Sequence, residues 1–255
     1  MVASASDNRT AFAGRVALVT GASGGIGAAT ARMLADGGAD VALTCNGHRD
    51  DAEEVAEAVR SVGRRARVLQ ADFADPQVPE QLARRVREEL GAVDVLVAGA
   101  GTGEQRSWED VDRQLWDHTL EVNLTAPFFL AQQLLPGMVE RGYGRVLFLS
   151  SIAALTGGVL GAHYAASKAA LHGLTHYLAS RTAEEGVTVN AVAPALIGGT
   201  RMVPADPDDP ASMPLPIPVG RLGTPEEVAD LSVSMLRNGY LTDKVITVDG
   251  GLHAT

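Results

Sequence analysis

Val16-Ala17-Leu18-Val19-Thr20-Gly21-Ala22-Ser23-Gly24-Gly25-Ile26-Gly27 decides the fold. Its first four residues are apolar without alternation, the pattern of a strand covered on both faces, as strands of parallel sheets are. The glycines then make a tight turn, and the residues onward to Ala35 predict a helix closed by Gly37-Gly38. Strand, glycine turn and helix in this order form an anion cradle. Glycines lacking Cβ let the backbone approach a pyrophosphate, and the helix points its unpaired N–H groups and positive dipole end at it. Gly21, Ser23, Gly25, Ile26 and Gly27 are therefore candidate dinucleotide contacts.

The alternation continues outward from this unit. Strands are expected at Val41–Cys45, Ala66–Gln70 and Val93–Val97, at the run Val146–Leu149 ending in Ser150-Ser151, and at Val187–Val192 leading to Pro194. Helices are expected at Asp51–Val62, from the cap Asp75 with Pro76 at N1, in a long region holding Asn123, Pro127 and Pro136, and at Ala162–Ala183. Such alternation implies an α/β protein: one Rossmann-like, doubly wound parallel sheet of about seven strands, with helices on both faces. Ligands of these sheets bind at the carboxyl ends of the strands, where strand order reverses. The glycine turn, Asp72, Ala98–Gly101, Ser151 and Pro194 then share one rim.

At 255 residues and 46% hydrophobic, the chain can bury one large core. A net charge of −10 argues against nucleic acid and anionic membrane surfaces as partners. Cys45 is alone, which excludes an internal disulfide, fits a reducing compartment and, in an apolar run, reads as a buried strand thiol. No apolar run approaches the roughly 20 residues of a membrane span. Residues 1–11 lack the basic start and apolar core of a signal peptide and read as a loose tail before a domain over 12–255. A cytoplasmic location is expected.

Chemistry concentrates in Tyr164-Ala165-Ala166-Ser167-Lys168. Residues four apart on a helix share a face, so Tyr164 and Lys168 bring two titratable heads to one site. A phenol of reference pKa about 10 is a poor acid or base at neutral pH, and a neighbouring ammonium is expected to lower that pKa. Ser151, at a strand end, would hold a carbonyl or alkoxide oxygen while Tyr164 moves the proton. Alone, Tyr-x-x-x-Lys occurs by chance in many helices; its context gives it weight. After the second strand, Asn46-Gly47-His48-Arg49 stands where an acidic residue normally grips the adenosine ribose. This favours NADP(H), with Arg49 as phosphate partner and Asn46 or His48 assisting; NAD(H) stays open, because Arg49 equally suits the entry to the charged helix. His172 and His176 stand four apart without a third ligand at metal spacing, so no metal is expected. His163 either touches substrate or packs at the helix start. The proline-rich stretch at about 200–219 reads as an irregular substrate lid, with Met202, Met213, Leu215 and Ile217 lining an apolar pocket.

From about Arg15 to Leu252 the chain resembles the short-chain dehydrogenase/reductase family. The match rests on Thr20-Gly21-x-x-x-Gly25-x-Gly27, Asp72, Asn123, Ser151, Tyr164-x-x-x-Lys168, Pro194 and Val248-Asp249-Gly250-Gly251. The resemblance implies a catalytic tetrad of Asn123, Ser151, Tyr164 and Lys168, with Asn123 kinking its helix to hold a water in a proton relay through Lys168. It implies that Asp72 contacts the adenine, that Lys168 also binds the nicotinamide ribose, and that Ile197 and the adjoining backbone meet the carboxamide, with Phe73, Ala98, Gly99, Ala100, Tyr164 and Pro194 as further cofactor contacts. Val122-Asn123-Leu124 and the run Gly220–Ala229 are most similar to the 3-oxoacyl-[acyl-carrier-protein] reductase branch, which implies NADPH, an acyl thioester and a homotetramer. Thr224-Pro225-Glu226-Glu227 is a capping box that needs no functional explanation.

Departures bear on these implications. Ala98-Gly99-Ala100-Gly101 replaces the family's Asn-Asn-Ala-Gly, Pro194-Ala195 replaces Pro-Gly, and Gly24 stands where NADPH enzymes often carry a basic residue. Glu184-Glu185 ends the Tyr164 helix, and with net charge −10 it disfavours an acidic carrier protein. A small ketone or secondary alcohol as substrate, and a silent dinucleotide sensor, are the alternatives.

Overall fold

The structure, a computed structural model, describes residues 10–202 and 216–253. Most of the expected tail, and Met213 and Leu215 of the expected lid, lie outside the described residues. Seven strands form one sheet in the order β3-β2-β1-β4-β5-β6-β7. They are β1 (Val16–Thr20), β2 (Asp40–Cys45), β3 (Ala66–Gln70), β4 (Val95–Ala98), β5 (Gly144–Leu149), β6 (Val187–Pro194) and β7 (Lys244–Val248), and every neighbouring pair is parallel.

Because side chains alternate across a pleated sheet, each strand feeds two cores. Val19, Leu43, Val97 and Leu147 pack on one face beneath α1 (Gly25–Asp36), α2 (Arg49–Ser61) and α8 (Pro225–Arg237). Leu18, Leu96, Val146 and Phe148 pack on the other, beneath α3 (Val78–Glu89), α5 (Ala126–Glu140) and α7 (Ala162–Thr182). The described residues also form two short α-helices, α4 (Arg113–Leu120) and α6 (Ala153–Thr156). The chain steps outward from β1 to β3, returns to β4 beside β1, and steps outward the other way. The β1–β4 boundary is thus the point where strand order reverses.

Two expected boundaries move. The helix predicted from Pro76 begins at Val78, because the Asp75 carboxylate accepts the Gln77 N–H at 2.9 Å and makes a turn of its own first. The fourth strand starts at Val95, since buried Asp94 is occupied in accepting the Val16 N–H and pairing with Arg15 and Arg141. The capping box at Thr224 and Glu227 forms as expected.

Between α4 and α5 the helix passes through a π turn, Glu121–Thr125, in which the Ala126 N–H reaches the Glu121 carbonyl. Pro127 supplies the reason. It has no N–H, so the carbonyl of Asn123, four residues before it, has no α-helical donor and the ladder must widen.

Candidate active site

Three turns after β1, β4 and β5 meet at the sheet's carboxyl edge. Thr20 ties two of them: its Oγ1 accepts the N–H groups of Gly99 and Ala100, both at 3.0 Å. Gly21 must be glycine on two counts, a φ of +69° and a Cβ that would lie 2.9 Å from Ala100 Cα. A Cβ on Gly27 would collide with the Gly21 carbonyl. The N-cap of α1, Gly24, offers no side-chain cap, so the first N–H groups of the helix look into a cavity of about 670 Å³. Glycine-lined, donor-rich and within the size range of cofactor sites, this cradle fits a dinucleotide pyrophosphate.

At the other end of the cavity stand Ser151, Tyr164 and Lys168. Tyr164 and Lys168 lie in the first two turns of α7, both buried, with Lys168 Nζ 5.8 Å from the Tyr164 ring centroid. Nζ donates to the Leu149 carbonyl at 2.7 Å, which anchors the ammonium beneath the site. Burial pulls the Lys168 ammonium down to about 8. The expected lowering of the Tyr164 pKa by Lys168 does not follow from this geometry. Burial pushes the phenol up, and a hydrogen bond with the Ser151 hydroxyl pulls it only partway back. The Tyr164 hydroxyl also points at Met202 Sδ, 3.8 Å away, a weak acceptor where a substrate oxygen would take a proton.

Asn123 is fully buried in the π turn, where its Oδ1 accepts the Thr102 N–H and its Nδ2 donates to the Thr102 carbonyl and to Ser167 Oγ. Its Oδ1 and Lys168 Nζ both border Gly101, 3.3 and 3.4 Å from where a Cβ there would sit. The kink expected at Asn123 is present as the π turn, and the side chain itself serves as a strut for the loop after β4. Beyond β6, the Pro194 carbonyl accepts the Ile152 N–H, and Leu196 adopts a φ of +46°, rare for a branched side chain. That residue takes the conformation that lets Ile197 bridge to Gly223 and line the cavity.

Other expected contacts divide. Gly21, Ser23, Gly25, Ile26, Gly27, Gly99, Pro194 and Ile197 line the cavity. Asn46 and Arg49 do not: both are exposed, and Arg49 pairs with Glu53 at 3.4 Å within its own helix. Asp72 is exposed and accepts the Ala74 N–H, whereas Phe73 is buried in the core, so its side chain is a packing element. Ala98 is a core residue and Ala100 packs against the same cluster. His172 contacts Ser150 and His176 pairs with Asp243, so the two histidines take separate partners; among the described residues no group of three ligands could hold a metal. His163 is fully buried with neither ring nitrogen bonded, a packing place with no substrate access. Cys45 is buried, which raises its thiol pKa. Among the described residues no helix is long and apolar enough to cross a membrane.

The sequence reading missed Asp51, Thr200 and Arg201, all of which line the cavity. The Glu184-Glu185 pair, expected to disfavour an acidic carrier, is remote from Tyr164. Tyr164 is in the first turn of α7 and the glutamates follow its last, so they lie about 30 Å away along the axis.

Comparisons with known proteins agree with this geometry. A family model described as short chain dehydrogenase matches residues 15–211. The acetoacetyl-CoA reductase of Cupriavidus necator is 36% identical over 242 residues, 94% of this chain and 98% of the relative. The cis-4-hydroxycyclohexanecarboxylate dehydrogenase of Sinomonas cyclohexanicum is 36% identical over 247 residues, 96% of this chain and 98% of that one. The structure of a variant short-chain dehydrogenase/reductase from Serratia marcescens superposes with a TM-score of 0.86 at 34% identity, covering 95% of this chain and 99% of the other.

Proposed function

The chain belongs to the short-chain dehydrogenase/reductase family, NAD(P)(H)-dependent oxidoreductases of alcohol and carbonyl groups, and from that premise we propose that it reduces a 3-oxoacyl thioester with NADP(H). The observation that carries the reading is the buried Tyr164 phenol, lining one cavity with Ser151, an anchored Lys168 and the glycine cradle. Residues of the cradle would hold the pyrophosphate, and Lys168 and Ile197 would meet the nicotinamide end. When bound, the nicotinamide supplies the hydride. Tyr164 gives its proton to the carbonyl oxygen, and its raised pKa keeps that proton in place at neutral pH, which suits reduction. The Ser151 hydroxyl donates a hydrogen bond to the same oxygen and offsets its developing charge.

Ile152, Val159, Leu160 and Met202 give the cavity an apolar wall that suits an acyl chain. The C. necator relative acts on acetoacetyl-CoA, by its name. A second reading, a small hydroxy acid or ketone, is favoured by the S. cyclohexanicum relative at equal identity. A homotetramer in the cytoplasm belongs to the same proposal; exposed Trp108, Phe129 and Tyr177 suit association.

The test is NADPH oxidation by the purified protein with acetoacetyl-CoA, beside a panel of small ketones. Turnover with the thioester should fall by about 10²–10⁴-fold in Tyr164→Phe while cofactor binding persists. Turnover confined to the small ketones moves the substrate to the second reading, and a fully active Tyr164→Phe removes Tyr164 from the proton step.

A further inference from the structure

We propose that Arg201 is the receptor for the adenosine 2′-phosphate, reaching the cofactor from the segment after β6 and not from the end of β2. This rests on the NADP(H) reading above. The Arg201 guanidinium crosses the cavity: Nη1 donates to Ser23 Oγ at 3.2 Å, and Nη2 to the Ser23 carbonyl at 3.3 Å and to Asp51 Oδ2 at 2.9 Å. Its neighbour Thr200 covers the start of α1, with Cγ2 3.1 Å from where a Gly25 Cβ would sit. Arg201 lies one step further toward α2, with Nη2 3.7 Å from where a Gly24 Cβ would sit. Thr200 thus borders the pyrophosphate cradle, and Arg201 borders the side facing β2 and α2. In doubly wound folds the adenosine ribose takes that side, since the residue ending the second strand grips its hydroxyls.

Charge supports the same assignment. Among the described residues lining the cavity, the cations are Lys168 and Arg201, and Lys168 is tied to the Leu149 carbonyl at the opposite end. The position at Gly24, where a basic side chain would otherwise meet a 2′-phosphate, has space into which the Arg201 guanidinium fits. Arg49, the candidate from the sequence, is turned to Glu53. Asp51 is the one carboxylate on this wall among the described residues, and it would repel a phosphate dianion unless a cation lay between them. A guanidinium has five donors in a planar fork, enough to keep Asp51 and take a phosphate at once. Without Arg201, bare Asp51 would reject the 2′-phosphate and accept hydrogen bonds from ribose hydroxyls. Arg201 thereby sets which dinucleotide is accepted.

Equilibrium titration of NADPH and NADH against the wild type, Arg201→Ala, Arg201→Lys and Asp51→Asn tests this without turnover. Arg201→Ala should weaken NADPH by about 10- to 100-fold, the worth of one or two charge-assisted hydrogen bonds, without weakening NADH. Arg201→Lys should recover part of the loss, and Asp51→Asn should tighten NADPH selectively. Equal weakening of both dinucleotides by Arg201→Ala would place the guanidinium on the shared pyrophosphate, or in lid structure, and overturn the assignment. A wild type preferring NADPH, with that preference intact in Arg201→Ala, overturns the assignment and leaves the NADP(H) reading standing. A wild type that binds NADH as tightly as NADPH sinks that reading and this inference with it.

Discussion

Burial moves the two titratable heads of the site apart: the Lys168 ammonium falls to about 8 and the Tyr164 phenol rises. Spacing along a helix told which face the two share, but not how deep that face lies, and depth decides the sign for Tyr164. For Lys168 the linkage is direct. The unfolded chain holds the proton up to about pH 10 and the folded chain releases it near 8, so between these values the unfolded state binds more protons and stability from this group rises with pH. Relative to Lys168→Met, the wild type should therefore gain up to about 3 kcal/mol between pH 7 and 10, read from urea unfolding at each pH. A constant difference across that range would mean that the ammonium stays charged in the folded protein and that water reaches it.

Elements were the most legible scale, and the reasons are local. The run Val16–Val19 announces a buried strand, and Gly21 and Gly27 fall where no other side chain fits. The boundary at Asp75 was misread because an Asp-Pro pair looks like a helix cap when it in fact closes a turn. Pro127 was visible in the sequence, but its effect, a missing donor for the Asn123 carbonyl and hence the π turn, needs the helix to be continuous on both sides. That turn aims Asn123 at the loop after β4. Asn123→Ala would leave the Thr102 N–H and carbonyl and Ser167 Oγ without this partner in a buried setting, a loss of about 2–4 kcal/mol. Urea unfolding should show it as a lower midpoint with unchanged slope. An unchanged midpoint would mean that the loop finds other partners and that Asn123 is no strut.

The whole molecule is where sequence reading runs out, because it concerns residues distant in the chain. Arg201 meets Ser23 and Asp51 across separations of 178 and 150 residues, and nothing beside Arg201 in the sequence names either partner. Glu184-Glu185 shows the converse: the pair ends the element that carries Tyr164, and a helix of 21 residues sets it at the far end. At about 0.1 M salt, charges some 30 Å from the mouth lie beyond the Debye length of about 10 Å, so they do not reach a docking partner; at about 0.01 M the Debye length is about 30 Å and the full net charge of −10 is felt. An acidic carrier protein bearing a 3-oxoacyl thioester should therefore be used poorly at low salt, with kcat/KM rising as salt is added and levelling near 0.1 M, while an uncharged small thioester shows no such rise. The comparison separates the field of the whole chain from salt effects on the chemistry itself. If kcat/KM for the carrier instead fell as salt rose, attraction would dominate at the mouth, and a basic docking patch there would outweigh the net charge.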